Sequence, residues 1–450
     1  MVRIEVNPPA DGWNLTLPAR LWADLSKHLF NDDDEHGAVI LAEHTSGPRG
    51  PRLLGRTLIL AVDGEDYVKG TTGYRALRPE FVRDTAIRAG DEGLAYLATH
   101  NHFGTTRVGF SSIDMDSHER GYPALRQITG QIVGGLVFTP HAAAGDLWLP
   151  DGTRSPLAEV VIPGNNVVRL RPRPASSPEA DPDYDRQSRM FGDRGQETLK
   201  RLRVAVVGLG GAGSVAVELL ARLGVGHLVL IDGDVAERTN LTRLVAAELD
   251  DVGTPKVELA ARNARRANPN VVLTLIQDQV QVPLARGALA SCDWIFLAAD
   301  TNAARHYVNA AVHDYLIPAT QVGVKIPVTP DGTLGQVHAV ARLVTPDGGC
   351  MRCNGLIDAT ELAIDMLPDG ERERARYLSE VPAPSVIALN TLAVAEAVNH
   401  FMFAVTGLHH DDVDQAAVLH RPRSRDRDLQ NPRQDPQCRS CSRYQLVIGR

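Results

Sequence analysis

The stretch "RVAVVGLGGAGSVAVELLARLGVGHLVLIDGD", residues 203 to 234, constrains the fold more than any other part of the chain. It reads as a short apolar strand, a glycine turn, an amphipathic helix and a second apolar strand ending in acids, which is a βαβ unit. Gly208, Gly210 and Gly213 stand in G-x-G-x-x-G spacing, with Gly211 among them. Glycines there let the backbone turn tightly and approach a phosphate, while the helix start offers free amides and a positive dipole. Asp232 stands where a carboxylate takes ribose hydroxyls, and Asp234 follows closely. An α/β, Rossmann-like, doubly wound sheet is expected. Alone, the fingerprint says only nucleotide, and a nicotinamide oxidoreductase is its default meaning.

The residues that follow argue for ATP. "DVAERTNLTRL" carries Asn240 and Arg243, "GTPKVELAARNARRANP" presents Lys256 at a helix start, and "WIFLAADTNAARHYVN" ends an apolar strand at Asp300. A dinucleotide carries two phosphates and needs no extra cations. Arg243 and Lys256 can neutralise a triphosphate, and Asp300, at a strand's carboxyl end, can hold magnesium. Each has an ordinary alternative: the bases solvated at helix starts, the acid capping the next helix.

Taken in order, these segments resemble the ThiF/MoeB family and the ubiquitin-activating enzymes. The resemblance covers most of residues 184 to 450. It is carried by "YDRQSRMFGDRGQETLKRLRV", "GLGGAGS", "IDGD", "NLTR", "GTPKV", "AADTN", "GTLGQVHAV" and "VPAPSVIALNTLAVAEAVNHF". It implies that Gly208, Gly210, Gly211, Gly213, Asp232 and Asp234 form the nucleotide site, with Asp232 on the ribose. It places Asn240, Arg243 and Lys256 on the phosphates and Asp300 on Mg2+. Arg186 would reach the ATP site of a neighbouring subunit, which implies a homodimer. The reaction implied is adenylation of the C-terminal glycine carboxylate of a ubiquitin-like protein, with pyrophosphate leaving; positioning and charge neutralisation carry it.

"CMRC" supplies Cys350 and Cys353, and "CRSC" supplies Cys438 and Cys441. Two matched Cys-x-x-Cys knuckles make a closed tetrathiolate zinc site, which would pin the chain's tail to its domain; a redox pair is the rival. The fifth cysteine, Cys292 in "LASCDWIFLAAD", reads as a small core residue. Thioester-forming relatives carry their nucleophile after the first knuckle. "NGLIDATELAIDMLPDGERERARYLSEVPAPS" has no cysteine, so the adenylate would pass directly to a thiol or amine elsewhere.

Near the other end, "EGLAYLATHNH" reads as a strand running into two histidines. Alternation puts His100 and His102 on one face and Asn101 on the other. "SSIDMDSHERG" reads as a helix entry, with Ser111 or Asp114 near the cap. Two imidazoles and one carboxylate can converge on an ion with a fourth position open, as in catalytic zinc. A hydrogen-bonded histidine pair and an ordinary helix cap are the bland alternative. The stretch resembles the JAMM metalloprotease family (MPN or JAB): an upstream Glu, then His-x-His-Pro, then Ser-x-x-Asp. By that resemblance His100, His102 and Asp114 bind zinc, Ser111 helps hold the oxyanion, and Glu35 is general base on the coordinated water. Glu35 is favoured over nearby Glu43 by Gly37 and the apolar run after it. Phe103 stands in place of the proline, and the loop from His102 to Ser111 is one residue longer than usual.

The chain's 450 residues allow two or three domains. "RLRPRPASSPEADPDYDR", rich in proline, serine and charge, reads as a linker. The expected layout is a smaller JAMM-like (cytidine-deaminase-like) α/β domain over 1–168, a linker over 169–183, and the adenylation domain over 184–450. A net charge of −8 argues against a nucleic-acid surface. "SVIALNTLAVAEAVNHFMFAV" is interrupted by Asn390, Glu396, Asn399 and His400, and reads as a buried helix rather than a membrane span. "MVRIEVNPPADGW" lacks a signal-peptide core, so a cytoplasmic location is expected.

Joined, the halves describe one chain that activates a ubiquitin-like terminus and also cuts after it, using ATP, Mg2+ and two Zn2+. A separate conjugating protein is a further expected partner. The alternatives are a sulfur-carrier adenylyltransferase for thiamin, molybdopterin or cysteine synthesis with a degenerate JAMM binding domain, and a non-catalytic scaffold.

Overall fold

The structure, a computed structural model, describes residues 2–4, 12–47, 50–68, 76–375, 383–410, 417–442 and 444–449. Residues 376–382 of the cysteine-free stretch and 5–11 of the N-terminal segment lie outside the described residues. The chain divides into two units: Pro8–Pro163 with Val167–Ser176 and Arg443–Arg450, and Ser177–Ser442 with Met1–Asn7 and Gly164–Asn166.

Strand β1 (Val2–Ile4) belongs to the C-terminal unit. The N-terminal unit then runs β2 (Trp13–Thr16), α1 (Ala19–Leu29), β3 (Gly37–Gly47), β4 (Gly50–Leu60), α2 (Pro79–Glu92), β5 (Ala95–Asn101), α3 (Ser112–Thr129), β6 (Val133–Thr139), β7 (Ala142–Trp148), β8 (Arg154–Ile162) and β9 (Val168–Leu170). Its strands pair in the order β4-β2-β8-β7-β6-β5-β3, and β3 returns to pair with β4, so the sheet closes on itself. Both faces are apolar because successive residues serve different cores. Ile40 and Leu97 pack with Leu21, Leu25 and Leu29 of α1, whereas Val39, Leu41 and Tyr96 pack with Phe81 of α2 and Tyr122 of α3.

The C-terminal unit contains α4 (Asp185–Arg201), β10 (Arg203–Val207), α5 (Gly211–Arg222), β11 (His227–Ile231), α6 (Lys256–Ala267), β12 (Val272–Ile276), α7 (Pro283–Leu289), β13 (Trp294–Leu297), α8 (Asn302–Tyr315), β14 (Ala319–Lys325), β15 (His338–Val344), α9 (Ala359–Asp365), α10 (Asp369–Ala375), α11 (Ile387–Thr406), β16 (Ala417–Arg421) and β17 (Asp426–Gln430). Strand order is β1-β12-β11-β10-β13-β14-β15-β16-β17. The five from β12 to β14 are parallel, and chain order reverses outward from β10, as in a doubly wound sheet. Every residue of β10 and β11 is buried, as expected of strands covered on both faces. The register sets Val207 opposite both Ile231 and Leu297, so the strand ends leading to Gly208, Asp232 and Asp300 lie on one edge.

Helix α11 is long and apolar enough to cross a membrane by length and composition alone. In the fold it buries Ala393, Val394, Ala397, Phe401 and Ala404, and Phe401 packs edge-on against Trp294 and Phe296. The last strand, β18 (Gln445–Ile448), lies parallel to β4 in the N-terminal unit.

Candidate functional site

The nucleotide fingerprint folds as a strand-to-helix turn. Gly208 has φ +86°, and a Cβ there would lie 2.6 Å from the Ala299 nitrogen, so only glycine fits. The Asp232 carboxylate is partly buried just after β11, where it accepts the Leu209 N–H at 2.6 Å and the Asp234 N–H at 2.8 Å. Partial burial raises its pKa from the ordinary value, against the pull of Lys256. Lys256 Nζ donates to the Asp234 carboxylate at 2.6 Å. Arg243 lies over the start of α5: a Cβ on Gly211 would meet its Cδ at 3.3 Å, and its Nη1 donates to the Thr239 carbonyl at 2.9 Å. Asn240 is buried beneath it in sequence, within a 3-10 turn.

Asp300 follows β13 and is exposed. The next residue, Thr301, caps α8 by accepting the Ala304 N–H at 3.2 Å, so Asp300 is spared that task. Arg186 is exposed in the first turn of α4. One residue the sequence reading missed is Asn390 of α11, buried, whose Nδ2 would stand 2.3 Å from a Cβ on Gly211. A polar residue on the buried face of α11, in line with Ala393, Val394 and Ala397, was the signal.

The four knuckle cysteines converge. Cys350 Sγ lies 3.5 Å from Cys353 Sγ and 3.7 Å from Cys438 Sγ, and Cys353 Sγ lies 3.7 Å from Cys441 Sγ. Tetrahedral thiolates on zinc at about 2.3 Å sit roughly 3.8 Å apart, so the set fits that ion. Burial pushes the Cys350 thiol well up and takes Cys441 to about 11. Cys438 moves to about 6, because N–H groups of Cys441 and Ser440 outweigh burial. Asn354 ties the knuckles together, donating to the Arg433 carbonyl at 3.0 Å and accepting its N–H at 2.8 Å. Cys292 is buried in the sheet core.

In the N-terminal unit, β5 delivers His100 and the residue after its end, His102, while α3 delivers Asp114 from its first turn. The Nε2 atoms of the histidines lie 3.1 Å apart. Asp114 Oδ1 is 3.5 Å from His100 Nε2, and Oδ2 is 3.3 Å from His102 Nε2. One ligand atom from each lies within 4.8 Å of the others. His102 Nδ1 donates to the Gly109 carbonyl at 3.1 Å, so Nε2 is the nitrogen turned toward Asp114, and it can bind a metal once its proton is released. The donor set and convergence therefore fit a zinc ion.

Helix capping sets the carboxylate. Ser111 caps α3, and Asp114 Oδ2 accepts both its N–H at 2.7 Å and its hydroxyl at 2.8 Å. Ser111 thus orients Asp114 in this state. Burial pushes Asp114 up, but hydrogen bonds from His100 and His102 outweigh it and hold its pKa well below the usual range. The same bond to Asp114 raises His102. Glu35 Oε1 lies 3.9 Å from His102 Nε2, and burial raises its pKa against the pull of His100 and His102. Glu43 instead pairs with Arg56 on β4 at 2.7 Å. Deeper on α3, buried His118 Nδ1 donates to Asp146 at 3.0 Å, and Arg154 Nε reaches the same carboxylate at 2.6 Å.

A profile of the ThiF family matches residues 184–441. The SAMP-activating enzyme E1 of Haloferax volcanii is 37% identical over 162 residues, covering 36% of this chain and 56% of that one. The sulfur carrier protein ThiS adenylyltransferase of Escherichia coli is 30% identical over 206 residues, covering 45% of this chain and 74% of its own length. The first of these is therefore spanned over little more than half its length. The solved structure of E. coli MccB with ATP is 22% identical at a TM-score of 0.47, covering 58% of this chain and 75% of that one.

Proposed function

Because the chain belongs to the ThiF family, we propose that its C-terminal unit uses ATP to adenylate the C-terminal glycine carboxylate of a ubiquitin-like or sulfur-carrier protein. The observation that supports this reading is the aligned edge of β10, β11 and β13, whose ends lead to the glycine turn, Asp232 and Asp300, with Lys256 bonded to nearby Asp234. In the reaction the partner's carboxylate oxygen bonds to the α-phosphorus as the bond to the bridging oxygen breaks, and pyrophosphate departs with that electron pair. Arg243 and Lys256 would neutralise the departing charge, and the amides opening α5 would hold a phosphate. Lys256 now lies on Asp234, so its charge is available by exchange of one anion for another. Asp300 would anchor Mg2+. Arg186 is assigned to the cleft of a second subunit in a homodimer.

The N-terminal unit is assigned zinc-dependent cleavage after the same glycine, as JAMM enzymes perform. Zinc held there would acidify a water and polarise the scissile carbonyl. Glu35 would take the proton and return it to the leaving amine, its raised pKa suiting both steps. The tetrathiolate is assigned a structural role.

The product has two readings. The cysteine-free stretch 354–385 disfavours an enzyme-borne thioester, so the adenylate would meet an external amine or a sulfur nucleophile. The sulfur reading draws support from the name of the ThiS adenylyltransferase relative. Pyrophosphate exchange into ATP, driven by small proteins ending in glycine, tests the core proposal. Exchange abolished in Asp300→Ala supports it. No exchange by wild type with any such protein refutes it. Mass spectrometry then separates an amide conjugate from a thiocarboxylate.

A further inference from the structure

Asn101 stands between His100 and His102 and faces away from both, on the opposite side of β5. The residue is 5% exposed, and its side chain grips the Glu35 segment at two points. Oδ1 accepts the His36 N–H at 2.7 Å, and Nδ2 donates to the Asp34 carbonyl at 3.1 Å. The two bonds therefore straddle Glu35, one residue to each side. Residues 31–36 form neither helix nor strand, so no ladder sets their position. The Glu35 carboxylate itself approaches the pair only at 3.9 Å, too long for a hydrogen bond. What sets its place is the backbone beneath it, and that backbone is bonded to the strand that carries both histidines.

We propose that Asn101 is the positioning residue for Glu35, registering the general base against the metal ligands through one rigid strand. The inference rests on the hydrolase reading of this site. Only a side chain that offers one acceptor and one donor at the same reach satisfies a backbone N–H and a backbone carbonyl together. Aspartate at this position would keep the His36 bond and set two oxygens against each other at Asp34. Alanine would lose both bonds. In neither variant does a zinc ligand change. A shift of the base by about 1 Å costs on the order of 100-fold in rate, which sets the expected size of the effect.

The test compares wild type, Asn101→Ala and Asn101→Asp as full chains loaded with zinc. Three quantities are read: zinc content by mass spectrometry, hydrogen exchange of the peptide containing residues 33–37, and hydrolysis of a ubiquitin-like protein whose C-terminal Gly-Gly carries aminomethylcoumarin. Asn101→Ala is expected to keep its zinc, exchange faster at 33–37, and lose roughly 10- to 100-fold in kcat with KM within about twofold. Asn101→Asp is expected to fall between the two. Zinc loss in Asn101→Ala, or unchanged exchange at 33–37, overturns the proposal, as does a kcat equal to wild type. Wild type that holds zinc yet cleaves nothing removes the hydrolase reading and the proposal with it. An active wild type with an unaffected Asn101→Ala removes only the proposal.

Discussion

Gly213 packs so tightly on Gly208 that a Cβ at 213 would fall 1.8 Å from the Gly208 carbonyl oxygen. The spacing that looks like a nucleotide motif is thus also a steric requirement of the turn, and the helix can meet the strand only if residue 213 has no side chain. At Gly210 the same carbon would meet nothing within 4 Å. Gly213→Ala should therefore cost at least about 2 kcal/mol, and Gly210→Ala under roughly 1 kcal/mol. Urea unfolding of both variants decides it, and equal losses would contradict the packing argument.

Zinc counting tests the two candidate metal sites. Two ions per chain are expected. His102→Ala should lose one with little change in unfolding temperature, because its site lies at a strand end. Cys350→Ser should lose the other and destabilise the C-terminal unit, since a closed tetrathiolate contributes to folding outright. A His102→Ala protein still holding two ions would rule out the N-terminal site.

Asp146 should make the N-terminal unit acid-sensitive. Burial opposes its charge, but donors from His118, Arg154 and Trp148 outweigh burial and bring the carboxyl to about 2. A depressed folded pKa means that this stability is fully present above the unfolded value near 4 and is lost as pH falls from about 4 to about 2. The contribution is roughly 1 to 2 kcal/mol after allowance for solvent screening. In Asp146→Asn that segment of the stability curve should flatten, as denaturant titrations at pH 2.5 and 5 would reveal.

The chain's end should hold the N-terminal unit together. Tyr444 Oη donates to Asp24 at 2.9 Å, its ring packs on the core beside α1, and β18 follows on the edge of β4. Tyr444→Ala should cost roughly 2 kcal/mol, since the ring is only partly buried. Faster hydrogen exchange in α1 and β4 is the expected sign, and unchanged protection there would show that the tail is dispensable.

Several of these features could be read before any fold was known, and others could not. The strand into His100, the helix capped by Ser111 and the glycine turn are patterns of contiguous residues. Local sterics and periodicity make them visible in the chain itself. Asn101 shows the limit. Alternation correctly turns it away from the histidines, yet nothing near it reveals that it meets residues 34 and 36, 65 positions from His36. That meeting depends on β3 pairing antiparallel with β5, with Gly37 opposite His100.

The ends of the chain make the same point. A composition shift near residue 170 reads as a boundary, but β1 joins β12 and β18 joins β4, each far from its partner in sequence. Strand edges accept any chain with free backbone groups, so short terminal strands carry no local mark of their destination. From the sequence alone came the chemistry available: glycines for phosphate, paired bases and acids, two cysteine knuckles and a histidine pair. Only tertiary structure decided which of them meet, because convergence of groups such as Cys350 and Cys438, 88 positions apart, is a property of sheet register and core packing.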